Sequence, residues 1–288
     1  EGGDEAHRHA ACARAFSRIA GVHAAMSFQD AGSALTHINR VAQNDWVALS
    51  PEIADVLAAA LDFARRSNGL FDPCIAGRLV AAGRLPRHAG FPAEPTGDWR
   101  AVEFDGDRVR YAQPLLVDFS GIAKGYAVDR ALADLAADGV AAATVNAGGD
   151  LARYGDSAIT VHVRDPLEPT HILSVAELTQ GAAATSADYF QPGHLVHPES
   201  GAPLCGNTSV TVFAASCLVA DALTKIVAAN PADTHLQLAA HGAQAIMLDA
   251  EGLRICDTDD WHSLPHVASS TSSTASHGYC PKPAFFTN

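Results

Sequence analysis

The chain has 288 residues, 48% hydrophobic and 18% charged, a composition that excludes a disordered or collagen-like chain. Nineteen Lys+Arg against 32 Asp+Glu give a formal charge of −13, a field that repels polyphosphates and argues against sequence-independent nucleic-acid binding. Every apolar run breaks at Asp, Arg or Gly before it could span a bilayer, so no transmembrane helix is expected.

An anionic ligand would therefore need backbone dipoles, a metal or one well-placed cation. Cys12, Cys74, Cys205, Cys217, Cys256 and Cys280 form no CxxC pair and no zinc-ligand spacing, and read as scattered core thiols. The sequence starts at Glu1 without Met or a basic-apolar leader, which fits a removed targeting segment or a trimmed start.

In chain order, Glu5 to Ala20 is Ala/Arg-rich and reads as a helix. Ser50 as N-cap, Pro51 at the first helical position and Glu52 in the first turn open a second one. Ile53, Val56, Leu57, Ala60, Leu61 and Ala64 repeat along it until Asn68-Gly69. The proline-rich stretch 84–98 is a loop. Ala101–Phe104 and Arg108–Ala112 flank Asp105-Gly106-Asp107 as a hairpin. Leu115–Phe119 reads as a short strand feeding a helix from about Lys124 to Ala137. Ala142–Val145, Ile159–Val163, Ile172–Val175, Ser209–Phe213 and Ala245–Leu248 read as strands, and Ser216 to Ala229 as a helix closed by Asn230-Pro231. The sum is a single mixed α+β unit with two lobes and a Ser/Thr-rich tail.

Four segments could carry chemistry. Val117–Asp129 joins a strand to a helix N-terminus, where unsatisfied N–H groups attract anions, with Gly121, Lys124 and Gly125 beside it. A plain strand–helix junction is the alternative. Asn146-Ala-Gly-Gly-Asp150 could form a nest of N–H groups or a simple turn. Thr185-Ser186 leads to His194-Leu-Val-His197-Pro-Glu-Ser-Gly201, where an imidazole could act as base or ligand; a surface-loop histidine is the bland reading. Asp221, Thr224 and Lys225 share one helix face; the carboxylate and the hydroxyl are hard oxygen donors of the kind magnesium takes, and an ordinary Asp–Lys i,i+4 ion pair is the alternative.

In their order these blocks resemble the ApbE family of flavin transferases: Gly-Leu-Phe-Asp72-Pro, V-D-x-x-G-I-A-K-G-Y-A-V-D, N-A-G-G-D, A-T-S-x-D-Y, H-x-x-x-P-x-x-G and A-D-A-L-T, spread over about Met26 to Asp249. The resemblance implies an α+β fold around a flavin-binding cleft, with residues 1–265 as the transferase domain and 266–288 as a loosely ordered tail. It further implies magnesium-dependent splitting of FAD at its pyrophosphate and transfer of FMN to a Thr or Ser of a partner protein. By that resemblance Phe28 contacts the isoalloxazine ring. Leu70, Phe71 and Asp72 line the pocket, Asp118 and Lys124 contact the cofactor, and Asn146, Gly148, Gly149, Asp150, Thr185, Ser186 and Leu195 complete its site. Gly121 (through its carbonyl), Asp221 and Thr224 hold Mg2+, and His194 deprotonates the acceptor hydroxyl.

Three departures stand out. His197 replaces a usual Asp, Lys225 stands at a usual Thr, and the usual opening strand with Thr-Met-Gly-Thr is missing. The ammonium of Lys225 is expected to weaken metal binding or to replace part of the cation's role. The family resemblance implies an acceptor with a D-G-x-[ST]-G-A-[ST] segment in a redox subunit, and a periplasmic or inner-membrane-anchored location. FAD pyrophosphate hydrolysis to FMN and AMP, or flavin binding without turnover, are the competing functions.

Overall fold

The computed structural model describes residues 4–168, 170–187, 195–198, 200–204, 207–257 and 261–263. Side-chain caps set the early helices. Asp4 accepts the His7 N–H at the start of α1 (Glu5–Met26), Ser33 caps α2 (Ala34–Val41), and after the short β1 (Val47–Ala48) Ser50 caps α3 (Pro51–Arg66). Then come α4 (Ala76–Ala81), the hairpin of β2 (Val102–Phe104) and β3 (Arg108–Tyr111), and α5 (Ala123–Ala137). Five strands follow: β4 (Ala143–Ala147), β5 (Asp150–Tyr154), β6 (Ile159–Arg164), β7 (Ile172–Leu178) and β8 (Gly181–Ala187). The rest is β9 (Ser209–Ala214), α6 (Cys217–Ala229), α7 (His235–Ala240), β10 (Gln244–Asp249), β11 (Gly252–Cys256) and β12 (Trp261–Ser263).

Among the described residues the main sheet runs β12-β11-β10-β9-β8-β5-β4, with every neighbouring pair antiparallel. Strand alternation divides its side chains between two cores. Ala184, Val210, Val212, Ala245 and Met247 face α5 and α6, while Ala183, Phe213 and Ile246 pack under the β6–β7 hairpin with Val161, Val163 and Leu178. A smaller sheet, β1-β3-β2, lies with α2 and α3. The core is continuous from α3 through α5 and α6 to β10, so the smaller sheet and the helix-covered face of the main sheet share one interior.

Leu115–Phe119 is not a strand. Asn39, fully buried on α2, accepts the Val117 N–H and donates to the Val117 carbonyl, both at 2.8 Å, and the Gln43 amide donates to the Leu115 carbonyl. Buried peptide groups need partners of some kind; here side-chain amides supply them, with a single bridge from Leu116 to Ile75.

The crossing of α5 and α6 positions the site. A Cβ added at Gly125 would lie 2.3 Å from the Cys217 carbonyl oxygen, so only glycine lets the two helices approach this closely. Asp129 of α5 then accepts the N–H groups of Cys217 and Leu218, each at 2.8 Å, capping α6 from a neighbouring helix. Burial pushes the Asp129 carboxyl up, against those hydrogen bonds. Asp129→Ala is expected to lower stability by about 2–3 kcal/mol through loss of charge-assisted bonds to the helix end, measured by urea denaturation.

Candidate active site

A cleft of about 1150 Å³ opens where the α5 N-terminus, the β4–β5 turn, β8, α6 and the β6–β7 hairpin meet. Leu70, Phe71, Asp72, Asp118, Gly121, Lys124, Asn146, Gly148, Gly149, Thr185, Ser186 and Leu195 all line it. Gly148 and Gly149 form the two-residue turn between β4 and β5, with φ of +70° and +105°. That positive-φ pair makes them a hairpin turn as well as a cleft wall, and Asn146 accepts the Gly149 N–H at 3.1 Å.

Beneath this surface sit Asp150, Asp221 and Thr224, at most 1% exposed. Lys124 donates to Asp150 Oδ2 and its Nζ lies 3.8 Å from Asp221 Oδ1. Lys225 donates to Asp221 Oδ1 and, at 3.1 Å, to Thr224 Oγ1. The other Asp221 oxygen accepts the Gly125 N–H at 3.1 Å. Thr224 Oγ1 donates to the Asp221 carbonyl and shares a 2.7 Å hydrogen bond with Ser186 Oγ. Asp150 Oδ1 accepts the Thr185 N–H at 3.3 Å.

Electrostatics follow from this arrangement. Burial works against the Asp221 charge, but the ammonium groups of Lys225 and Lys124, with hydrogen bonds from Lys225 and Gly125, hold its carboxyl below the usual range. Burial and the Asp221 charge push Asp150 up despite Lys124. Lys124 is drawn down by burial and pushed up more by Asp221 and Asp150, so its ammonium is favoured. Burial also raises Asp118, although Ser120 donates to it through hydroxyl and N–H.

The residues expected to hold magnesium do not fit that ion as they stand. Both Asp221 oxygens and the Thr224 hydroxyl are engaged, and Lys225 already stands among them. An added cation about 4 Å from an ammonium meets repulsion of roughly 4 kcal/mol per unit charge at an effective dielectric near 20. Among the described residues no group of three or more His, Cys, Asp or Glu side chains is placed to hold a metal.

Phe28 is not brought into the cleft. It is 3% exposed and packs with Ala76, Val80, Phe91 and Leu116, its ring 5.5 Å from that of Phe91. An aromatic ring following α1 gains more from this closed apolar pocket than from a half-wet wall, and the next residue, Gln29, lines the cleft instead. His194 lies outside the described residues, as do Cys205 and Cys280. Of the other cysteines Cys74, Cys217 and Cys256 are buried and Cys12 is exposed. Sequence reasoning missed Thr144 and the β6 residues Thr160, His162 and Arg164, which also line the cleft. The sequence marked Ile159–Val163 as a strand, but only the packing of the hairpin shows that it borders the cleft.

Asp72 gives the site a pH signature. Burial raises its carboxyl to about 6, opposed by the Cys74 N–H it accepts at 2.8 Å. The folded protein thus binds this proton more tightly than the unfolded chain. The penalty is fully present above about pH 6, fades as pH falls, and is gone below the ordinary carboxylate value. Asp72→Asn is expected to raise stability at pH 7 by about 2 kcal/mol, with the gain vanishing near pH 4 in paired thermal melts.

The model of the ApbE family matches residues 4–247. An FAD:protein FMN transferase of Rhodobacter capsulatus is 31% identical over 245 residues, covering 76% of this chain and 45% of that protein. Another with that name, from Salmonella typhimurium, is 26% identical over 60% of this chain and 57% of its own. The chain thus spans about half the length of these curated relatives. The crystal structure of the ApbE protein of Thermotoga maritima superposes with a TM-score of 0.74 at 27% identity, covering 87% of this chain and 89% of that one. The apo flavinyl transferase ApbE of Pseudomonas stutzeri shares the fold at a TM-score of 0.72 and 24% identity, over 88% and 86% of the two chains. With the family's model matched from the first described helix to β10, this chain belongs to the ApbE family.

Proposed function

We propose that the chain transfers FMN from FAD to a Thr or Ser hydroxyl of a partner protein. The observation that carries this reading is a cleft whose floor holds two lysine ammonium groups beside a helix N-terminus, while Leu70, Phe71 and Leu195 supply apolar wall. At about 1150 Å³ it exceeds the ~300–1,000 Å³ usual for small ligands, as suits a dinucleotide with flat rings at both ends and an anionic diphosphate between them. Curated relatives named for this activity support the same assignment.

In this reaction the acceptor oxygen attacks the phosphorus that carries the flavin. A new P–O bond forms, the diphosphate bridge breaks, and AMP leaves with the bonding electron pair. The chain's own residues hold and orient the phosphates. The Lys124 and Lys225 ammonium groups and the α5 N-terminus oppose the charge that builds on the leaving group. His194, which precedes the cleft residue Leu195, takes the hydroxyl proton. A divalent cation, which the family resemblance implied, is left out of this scheme because its donor set is already engaged. The resemblance also supports a periplasmic location, which cell fractionation would read.

Incubation with FAD and a peptide carrying the D-G-x-[ST]-G-A-[ST] segment tests the proposal. Covalent flavin fluorescence on the peptide, with release of AMP, is the expected result. Free FMN and AMP without labelled peptide would show hydrolysis instead, and unchanged bound FAD would show a flavin-binding protein without turnover.

A further inference from the structure

We propose that the Lys225 ammonium stands where a divalent cation would otherwise be held, so that this chain engages its dinucleotide's diphosphate without a divalent metal. The inference rests on the FAD reading above for the identity of the ligand.

Three positions were expected to surround a metal: Gly121, Asp221 and Thr224. All three surround Lys225 instead. Its Nζ donates to Asp221 Oδ1 and, at 3.1 Å, to Thr224 Oγ1. Its stem runs beside Gly121, where an added Cβ would lie 3.7 Å from Lys225 Cε. The residue is not an incidental surface lysine: it lines the cleft, and its side chain is 20% exposed.

The surrounding donors leave a competing ion little to bind. Asp221 Oδ2 is held by the Gly125 N–H, and the Thr224 hydroxyl is held between Ser186 and the Asp221 carbonyl. Charge points the same way. Lys124 and Lys225 balance Asp150 and Asp221, so the floor is neutral as built. A divalent ion would add two positive charges beside two ammonium groups. An ammonium has three protons; Asp221 and Thr224 take two from Lys225, and the third remains for a phosphate oxygen in the cleft.

The test compares wild type, Lys225→Thr and Lys225→Met. FAD affinity is read by flavin fluorescence in EDTA and in excess Mg2+, and Mn2+ binding to each protein by electron paramagnetic resonance. Circular dichroism melts confirm that each variant is folded. Wild type is expected to bind FAD with the same affinity within twofold in both buffers, and to hold no Mn2+ stoichiometrically. Lys225→Thr is expected to lose at least tenfold in EDTA and to recover with Mg2+, because a hydroxyl and a released carboxylate oxygen then face the gap. Lys225→Met, which has the length without the charge, is expected to lose affinity in EDTA to a similar degree.

Stoichiometric Mn2+ on wild type, a tenfold gain in wild-type FAD affinity with Mg2+, or unaltered affinity in both variants overturns the proposal. FAD bound equally in both buffers with no peptide labelled refutes the transferase reading and leaves the role of Lys225 standing. Peptide labelling that requires Mg2+ supports the transferase reading and overturns this inference. A wild type that binds FAD in neither buffer overturns both.

Discussion

Asp221→Ala is expected to lower stability by about 3–5 kcal/mol, because removing one partner of a buried ion pair leaves the other charge unpaired. Asp221 is fully buried, and three groups depend on it: the Lys225 ammonium, the Gly125 N–H at the head of α5 and, at 3.8 Å, the Lys124 ammonium. The loss is therefore electrostatic and mechanical together, since Gly125 marks the closest approach of α5 and α6. For a chain of this size the melting temperature should fall by about 5–8 °C. The double variant Asp221→Ala with Lys225→Met removes the orphaned charge as well, and should recover at least ~1 kcal/mol relative to the sum of the single losses. Thermal melts of the four proteins give the coupling directly, and strict additivity would show that the pair is not the source.

His194→Ala is expected to lower the rate of FMN transfer by about 10²–10⁴-fold at saturating FAD, the usual contribution of a positioned general base. FAD affinity should be unchanged, because the proposed task of the imidazole is to take the acceptor's proton and not to hold the diphosphate. The distinguishing signature is the pH profile. The wild-type rate should rise with pH as an imidazole loses its proton, and the variant's rate should lose that limb. A variant that keeps the limb, or that loses FAD binding in parallel with rate, would assign the proton transfer to another group.

Much of the scaffold was legible because short-range chemistry fixes it. Ser50 and Pro51 start α3 where the capping pattern places it, and α5 and α6 begin within one residue of their expected starts. The glycine pair after β4 and the existence of strands β9 and β10 also follow from local pattern. Elements whose conformation depends on distant partners were harder. β8, Gly-Ala-Ala-Ala-Thr-Ser-Ala, has one β-branched side chain, Thr185, among residues that do not favour strands, yet lies between β5 and β9, where small residues let α6 pack closely. Leu115–Phe119 has the apolar run of a strand, but Asn39 on α2 and Gln43 just after it take peptide groups of this segment.

The candidate site divides in the same way. Residues at the start of α5, in the middle of α6 and beside the glycine turn converge because each block carries its own geometry. The destination of Phe28 could not be read, since a small aromatic pocket with Phe91 and a flavin-facing wall both call for the same residue type. Nor did spacing alone show that Lys225 and Lys124 would reach one carboxylate from two different helices.

The neutral quartet of Lys124, Lys225, Asp150 and Asp221 also bears on how a ligand arrives. Opposite charges this close together produce a multipolar potential that decays within a few ångströms of the cleft mouth, while the −13 net charge persists farther out, to about the ~8 Å Debye length in physiological salt. An approaching dinucleotide therefore feels repulsion at long range and attraction only once it is seated. Added salt should speed its capture slightly and scarcely change its residence time, the reverse of the behaviour of a protein that draws in phosphates with a basic surface.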